Sequence, residues 1–156
     1  MKIFTTCLVC SLVFLLSSSS LSAAEKPNMI VIFTDDHGYA DLSAQGILDD
    51  VKTPNIDFLA NHGRRCTAGY VTAPQCVPSR AGLLTGRSQN RFGVESNGGD
   101  LDGFGQQMTI AERLKKQGYA TGMVGKWHLG SPGQIPEHGF EDVFYSDGRW
   151  ANFNVQ

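Results

Sequence analysis

The strongest chemical pattern in this sequence runs from Cys76 to Arg87 and reads Cys-Val-Pro-Ser-Arg-Ala-Gly-Leu-Leu-Thr-Gly-Arg. Pro78 fixes its own φ and disfavours helical backbone at the residue before it, so Cys76 is predicted to lie just before a helix. Free backbone N–H groups and the positive end of a helix dipole favour an anionic group there. Arg80, four residues later, can reach the same helix face and add positive charge. The pattern therefore predicts a nucleophile in chemistry that involves an anion.

A reactive thiolate is one chemistry that fits a cysteine at this position, because nearby positive charge stabilises the ionised sulfur. The loop of the cysteine phosphatases, however, places its arginine six residues after the cysteine. In this sequence position 82 is Gly82. The spacing excludes that class.

The complete pattern resembles the signature of the formylglycine-dependent sulfatases. The resemblance implies that a formylglycine-generating enzyme reads Cys-x-Pro-x-Arg in the unfolded chain and oxidises Cys76 to an aldehyde. The hydrated aldehyde carries two hydroxyl groups. One attacks the sulfur of a sulfate ester and displaces the alcohol, and the other then expels sulfate by regenerating the aldehyde. The resemblance also implies that Arg80 contacts the modified residue.

Two neighbouring carboxylates, Asp35 and Asp36, follow the apolar segment Asn28–Thr34, which predicts a buried strand. In isolation, paired aspartates at a strand end are typical of a cap or turn. The resemblance implies instead that both bind a metal ion together with the diol on residue 76. The resemblance implies that this ion is calcium rather than magnesium, and hard divalent cations prefer carboxylate oxygens. Both side chains can reach one ion only if the strand ends there, because successive strand residues face opposite sides.

The segment Gly125–Gly130 contains Lys126 and His128, which an extended backbone would direct to the same side. The resemblance implies that both bind sulfate oxygens and that Lys126 also contacts the diol. A Lys-x-His pair by itself is more typical of a protein surface. Trp127, between them, is interpreted as a packing residue.

The elements that must position these residues alternate between strands and helices. The predicted strands are Asn28–Thr34, Thr67–Val71 and Tyr119–Val124, with a short strand after a turn at His138–Phe140. The predicted helices are Thr53–Ala60, Pro78–Leu84 and a helix that Thr109 caps and Gly118 ends. A surface loop is predicted for Asn90–Gly105, with a flexible turn at Asn97–Asp100. The pattern indicates an α/β fold with a mostly parallel sheet flanked by helices, and the resemblance implies the alkaline-phosphatase-like sulfatase fold.

Residues 1–24 have the composition of a secretory signal peptide: a basic start, a short uncharged apolar run and small residues before a cleavage site near Ala23 or Ala24. The run is shorter than the roughly 20 residues that span a bilayer. We therefore expect export to a periplasmic, extracellular or lysosomal location, without stable membrane insertion after cleavage. Cleavage leaves Cys66 and Cys76, which we expect to be unpaired, with Cys66 buried.

Charge excludes one class of partner. The formal net charge is −2 and no basic cluster is present, so nucleic-acid binding is not expected. The expected partners are a sulfated small molecule or glycan, besides the formylglycine-generating enzyme. The segment Gln89–Gly93 resembles glycan-acting relatives, which favours a sulfated carbohydrate over an aryl sulfate.

The resemblance covers residues 27–156, interpreted as the N-terminal portion of a catalytic domain that normally extends over several hundred residues. The family's further metal ligands, and the second histidine and second lysine of its active site, have no counterpart in the last segment, Phe140–Gln156. We therefore expect a fragment of a longer enzyme that is inactive alone. Two alternatives stay open: a phosphodiester or phosphonate-ester hydrolase of the same superfamily, and an inactive secreted fragment that binds anionic glycans.

Overall fold

The computed structural model describes residues 26–145, in two units that divide after Thr34. The described residues of the first unit, 26–34, have no assigned strand, and Ile30 is 87% exposed. The prediction of a buried strand at Asn28–Thr34 is therefore wrong for this structure. A strand needs a neighbour for its backbone hydrogen bonds, and no such pairing involves 26–34 within the described residues. The predicted signal peptide, residues 1–24, lies outside the described residues.

The second unit contains four α-helices, three 3-10 helices and two strands in its described part. The α-helices are α1 (Pro54–His62), α2 (Cys76–Thr85), α3 (Asp102–Gly105) and α4 (Ile110–Lys116). The 3-10 helices are Ser43–Gln45, Gln89–Phe92 and Pro132–His138. The strands are β1 (Gly122–Gly125) and β2 (Asp142–Tyr145). No helix within residues 26–145 is both long and apolar enough to cross a membrane.

The sheet of this unit is parallel, as predicted. β1 pairs with β2 in a register that sets Gly122 opposite Asp142 and Gly125 opposite Tyr145. Both predicted strands in this region are confirmed, although β1 starts later than expected. The predicted strand Thr67–Val71 is wrong, because that segment forms an exposed turn and irregular backbone. Strand propensity alone does not form a strand without a paired neighbour.

Helix α2, which carries Cys76, packs one side against the core and ends at a glycine. It begins at Cys76 and not at the predicted Pro78, and it ends before Gly86, whose left-handed φ of 65° suits glycine. Val77 and Ala81, one turn apart, are fully buried. Packing on this side holds the first residue of the helix, Cys76, at the edge of the core.

Local signals predict helices α1 and α4 well. α1 starts with Pro54 at its first turn and ends where the Gly63 N–H donates to the Leu59 carbonyl at 2.8 Å. α4 starts with a capping box, in which the Glu112 N–H donates to Thr109 Oγ1 at 3.2 Å and the Thr109 N–H donates to Glu112 Oε2 at 2.8 Å. Because both patterns lie within a few residues, they can be read directly from the sequence.

The core gathers apolar side chains from α2, the loop after it, α3 and the segment after β1. Its buried members are Val77, Ala81, Val94, Phe104, Trp127, Leu129 and Ile135. The prediction of a surface loop at Asn90–Gly105 is therefore wrong in part, since this segment contains α3 and two core side chains. Isolated apolar anchors without periodicity are invisible to pattern analysis. The packing role predicted for Trp127 is confirmed, as its side chain is 1% exposed.

The two cysteines of the described residues are unpaired, which confirms that Cys66 and Cys76 form no disulfide. Cys66 is exposed, contrary to the prediction that it is buried. Its segment forms the turn that replaces the expected strand, so it has no sheet or helix to pack against. Cys76 is half-buried.

Candidate active site

The carboxylates of Asp35 and Asp36 lie beside the start of helix α2. One oxygen of each carboxylate and the Cys76 sulfur all lie within 4.8 Å of one another. Asp36 adopts a left-handed backbone conformation, with φ of 52°. No strand extends through this point, so the opposite-face constraint of strand geometry does not apply. The two neighbouring carboxylates therefore lie close to the same thiol.

Lys126 connects the carboxylates to the thiol. Its ammonium Nζ lies 2.8 Å from Asp35 Oδ2 and 3.5 Å from Cys76 Sγ. It comes directly after β1, which ends at Gly125. The carboxyl end of a strand in an α/β fold is the usual edge for a ligand site. The end of strand β1 thus places the Lys126 ammonium beside Cys76, the first residue of α2.

Arg80 holds the opposite side of Asp35 and the backbone of Lys126. Its guanidinium donates from Nη2 to Asp35 Oδ1 at 3.2 Å and from Nη1 to the Lys126 carbonyl at 2.6 Å. The Arg80 side chain is only 13% exposed, so these contacts replace water around a charge that is costly to bury. Because Arg80 lies one turn after Cys76, it fixes the distance between α2 and the residues after β1.

The ion pairs shift the titration of both partners. Chiefly the hydrogen bond from Lys126 holds the pKa of Asp35 below its usual value, with a further contribution from Arg80 against the opposing effect of burial. The same hydrogen bond raises the pKa of Lys126 above its usual value. Both groups are therefore charged at neutral pH. With Asp36 and Arg80, the cluster contains two anionic and two cationic side chains.

His128 differs from the other predicted site residues. It is exposed and has a left-handed φ of 60°, so the extended backbone assumed for Lys126 and His128 is not present. Among residues 26–145, no hydrogen bond or ion pair joins His128 to Asp35, Cys76 or Lys126. Its role in binding sulfate stays a prediction.

The donor set of the cluster suits a hard cation once residue 76 carries oxygen. The carboxylates of Asp35 and Asp36 are the ligand type that calcium and magnesium prefer. A cysteine sulfur is a soft ligand and a poor match for either ion. A hydroxyl at residue 76 would turn the three ligand atoms into an all-oxygen set. The residues present therefore fit a calcium ion better with a formylglycine diol than with a thiol.

Sequence patterns miss two residues that hold the start of helix α2, Gln75 and Asn97. The Val77 N–H donates to Asn97 Oδ1, and the Asn97 N–H donates to Gln75 Oε1, both at 3.0 Å. The prediction of a flexible turn at Asn97–Asp100 overlooks this connection. No periodicity or motif links positions that lie 20 or more residues apart, so only the folded structure reveals it.

Comparison with known proteins identifies relatives across most of the chain. The sequence model of the Sulfatase family matches residues 27–154. Arylsulfatase A of Homo sapiens is 46% identical over 119 residues, which are 72% of this chain and 23% of that protein. N-acetylgalactosamine-6-O-sulfatase of Bacteroides thetaiotaomicron is 46% identical over 110 residues, which are 69% of this chain and 21% of the relative. Arylsulfatase of Klebsiella aerogenes is 39% identical over 143 residues, which are 83% of this chain and 30% of that protein.

The same comparison extends to solved structures. The crystal structure of Ps i-CgsB superposes with a TM-score of 0.66 at 39% identity, and the match covers 78% of this chain and 28% of that chain. The chain thus spans about a quarter of the length of the curated relatives quoted above. The helices and the parallel strand pair agree with the predicted α/β class, of which the described residues form a part.

Proposed function

This chain belongs to the sulfatase family, and on that premise we propose that the protein hydrolyses sulfate monoesters through a formylglycine made from Cys76. The observation that carries the proposal is the Cys76 side chain at the start of α2, with Lys126 Nζ at 3.5 Å and two carboxylates close by. Formylglycine, when present, supplies a hydroxyl that attacks sulfur and a second hydroxyl that allows sulfate to leave. A covalent route of this kind divides one difficult displacement into two easier steps.

The cations of the cluster would act on the negative charge of the substrate. Lys126 lies within reach of residue 76, so its ammonium would hold an oxygen of that side chain and an oxygen of the bound sulfate. Arg80 would keep Lys126 in place through the backbone carbonyl that it binds. His128 would bind a further sulfate oxygen from its exposed position. Fixed positive groups of this kind stabilise charge that develops during the reaction.

A calcium ion would be held by Asp35, Asp36 and an oxygen on residue 76. These carboxylates balance Arg80 and Lys126 in charge, so a bound divalent cation would make the cluster positive overall. A positive site favours an anionic sulfate ester over a neutral ester. Calcium is preferred here over magnesium because it tolerates irregular ligand geometry, whereas magnesium demands a near-ideal octahedron.

A sulfated carbohydrate is the preferred substrate class. Two of the relatives quoted above are named arylsulfatases, and the third is named N-acetylgalactosamine-6-O-sulfatase. The segment Gln89–Gly93, next to the core, is the part of the sequence that favours the carbohydrate. The composition of residues 1–24 supports export from the cytoplasm or delivery to lysosomes. Sulfated glycans are accessible to an enzyme in those locations.

The test is the release of sulfate by the full-length gene product, expressed together with a formylglycine-generating enzyme. Cys76→Ala should reduce hydrolysis of 4-nitrophenyl sulfate and of a sulfated N-acetylhexosamine to background, because the nucleophile is removed. Cys66→Ala is the matched control, since Cys66 is an exposed free thiol outside the cluster. Mass spectrometry of the peptide that contains residue 76 reports its conversion.

Three results would contradict the proposal. Full activity of Cys76→Ala would eliminate residue 76 as the nucleophile. Hydrolysis of bis(4-nitrophenyl) phosphate that is orders of magnitude faster than hydrolysis of either sulfate ester would identify the protein as a phosphodiesterase. Complete conversion of Cys76 with binding of sulfated glycans but no turnover would favour a binding protein.

A further inference from the structure

Both sequence neighbours of Cys76 are held by a single residue from another part of the chain. Asn97 accepts a hydrogen bond from the Val77 N–H through Oδ1, and its own N–H donates to Gln75 Oε1. Gln75 directly precedes Cys76, and Val77 directly follows it. Asn97 therefore contacts the backbone of one neighbour and the side chain of the other, both at 3.0 Å.

The first turn of α2 needs such a contact because its own residues do not supply one. The N-cap residue, Gln75, makes no side-chain hydrogen bond to the helix. Pro78 has no N–H, so the unbonded donors of the first turn are reduced by one. Asn97 Oδ1 accepts from the N–H of Val77, the second residue of α2. Asn97 thus caps the helix from a loop that is distant in sequence.

The resulting arrangement resembles a capping box built between two segments and not within one. In a local capping box, two side chains each accept from the backbone at the other's position. Here Asn97 accepts from the backbone of α2 at Val77, and the Gln75 side chain accepts from the backbone of Asn97, so the two partners lie in different segments. Val94, three residues before Asn97, is fully buried in the core, so this loop is anchored and can fix the helix start.

We propose that Asn97 is a positioning residue for the side chain at position 76. It does not touch the reacting atoms. It restrains the two peptide segments that flank residue 76 and thereby holds that side chain towards Lys126 Nζ. This role rests on the proposed sulfatase function, because it concerns the placement of the nucleophile.

The experiment compares three variants of the full-length protein after conversion of residue 76. Asn97→Ala should lower kcat about tenfold with KM changed less than about twofold, because a misplaced nucleophile slows chemistry more than binding. Asn97→Asp keeps the acceptor oxygen and should restore kcat to within about threefold. Asp100→Ala is the matched control from the same loop, since Asp100 Oδ1 accepts the Asp102 N–H at 2.8 Å and, among residues 26–145, no hydrogen bond joins its side chain to Gln75 or Val77.

The outcomes separate positioning from general stability. Unchanged kcat in Asn97→Ala, an equal loss in Asp100→Ala, or no recovery in Asn97→Asp would each overturn the proposal. If the wild-type protein hydrolyses no sulfate ester, the proposed function fails while the positioning role is still measurable. In unconverted protein, Asn97→Ala should then change the alkylation rate of the Cys76 thiol by at least about threefold relative to Asp100→Ala. Equal alkylation rates would overturn the role of Asn97.

Discussion

Asp36 and His128 are the two non-glycine residues with positive φ in the described part of the chain, and both are candidate site residues. A left-handed backbone costs most residues roughly 1–2 kcal/mol, although aspartate and histidine adopt it more often than most other residues. Strain of this kind concentrates at functional sites, where the surrounding structure maintains it. The backbone at His128 therefore supports a functional role that its side-chain contacts alone do not indicate.

Substitution of His128 should separate stability from activity. Both His128→Gly and His128→Ala remove the imidazole, and both should reduce sulfate-ester hydrolysis at least about tenfold. Glycine adopts positive φ readily, so His128→Gly should be about 1 kcal/mol more stable than His128→Ala. Chemical denaturation of the two variants measures the difference. An alanine variant as stable as the glycine variant would mean that position 128 is not strained.

At the scale of elements, the 3-10 helix Pro132–His138 ties α4 and β2 to the aromatic core. The His138 ring lies 4.7 Å from the Phe104 ring and 5.4 Å from the Trp127 ring, between centroids. Thr109 Oγ1, at the cap of α4, donates to the His138 carbonyl at 2.7 Å. Gly139 follows with φ of 92°, and a side chain there would overlap the Glu112 backbone. This junction therefore requires glycine and close packing.

Folding stability should depend on the protonation of His138. Burial lowers the pKa of His138 below its usual 6.5, against the opposing effect of Glu112 and Glu137. The unfolded chain then binds a proton more readily than the folded chain. Stability is therefore fully present above about pH 6.5 and is lost as pH falls towards the folded pKa.

Thermal unfolding at several pH values between about 7.5 and 5 provides the measurement. His138→Phe keeps an aromatic ring between Phe104 and Trp127 but cannot be protonated. Its melting temperature should fall less with acidification than that of the wild-type protein. Parallel pH profiles for the two proteins would show that His138 contributes nothing to acid sensitivity.

At the scale of the whole molecule, the candidate site joins segments that are far apart in sequence. The ion pair between Asp35 and Lys126 connects residues 91 positions apart, and the pair between Asp35 and Arg80 spans 45. Closing such long loops has a substantial entropy cost, so the site forms only when the second unit is folded. A metal ion at Asp35 and Asp36 would add a further link between these segments.

Calcium should therefore stabilise the full-length protein. A free calcium concentration of about 100 times Kd would raise the free energy of unfolding by roughly 2.7 kcal/mol. Chelation of calcium by EGTA should therefore lower the melting temperature and remove activity together. Asp36→Asn should weaken the calcium response, whereas Asp100→Asn, in another loop, should leave it intact. An unchanged melting temperature on chelation, with activity retained, would contradict a calcium site at these carboxylates.

The sequence by itself determines the local helix signals and the identity of the chemical groups. Pro54, the Thr109–Glu112 capping box and Gly86 define helix ends because the hydrogen bonds concerned lie within a few residues. The family resemblance on Cys76 to Arg87 agrees with the match to the Sulfatase family. The roles assigned to individual site residues stay predictions.

Only the tertiary structure decides contacts between distant segments. The expected strands Asn28–Thr34 and Thr67–Val71 have suitable sequences, but no strand pairs with either among the described residues. Cys66 is exposed for the same reason. The link from Asn97 to both neighbours of Cys76 follows from two loops meeting in space. Strand pairing and site assembly depend on residues far away in the chain, whereas helix hydrogen bonds close within one turn.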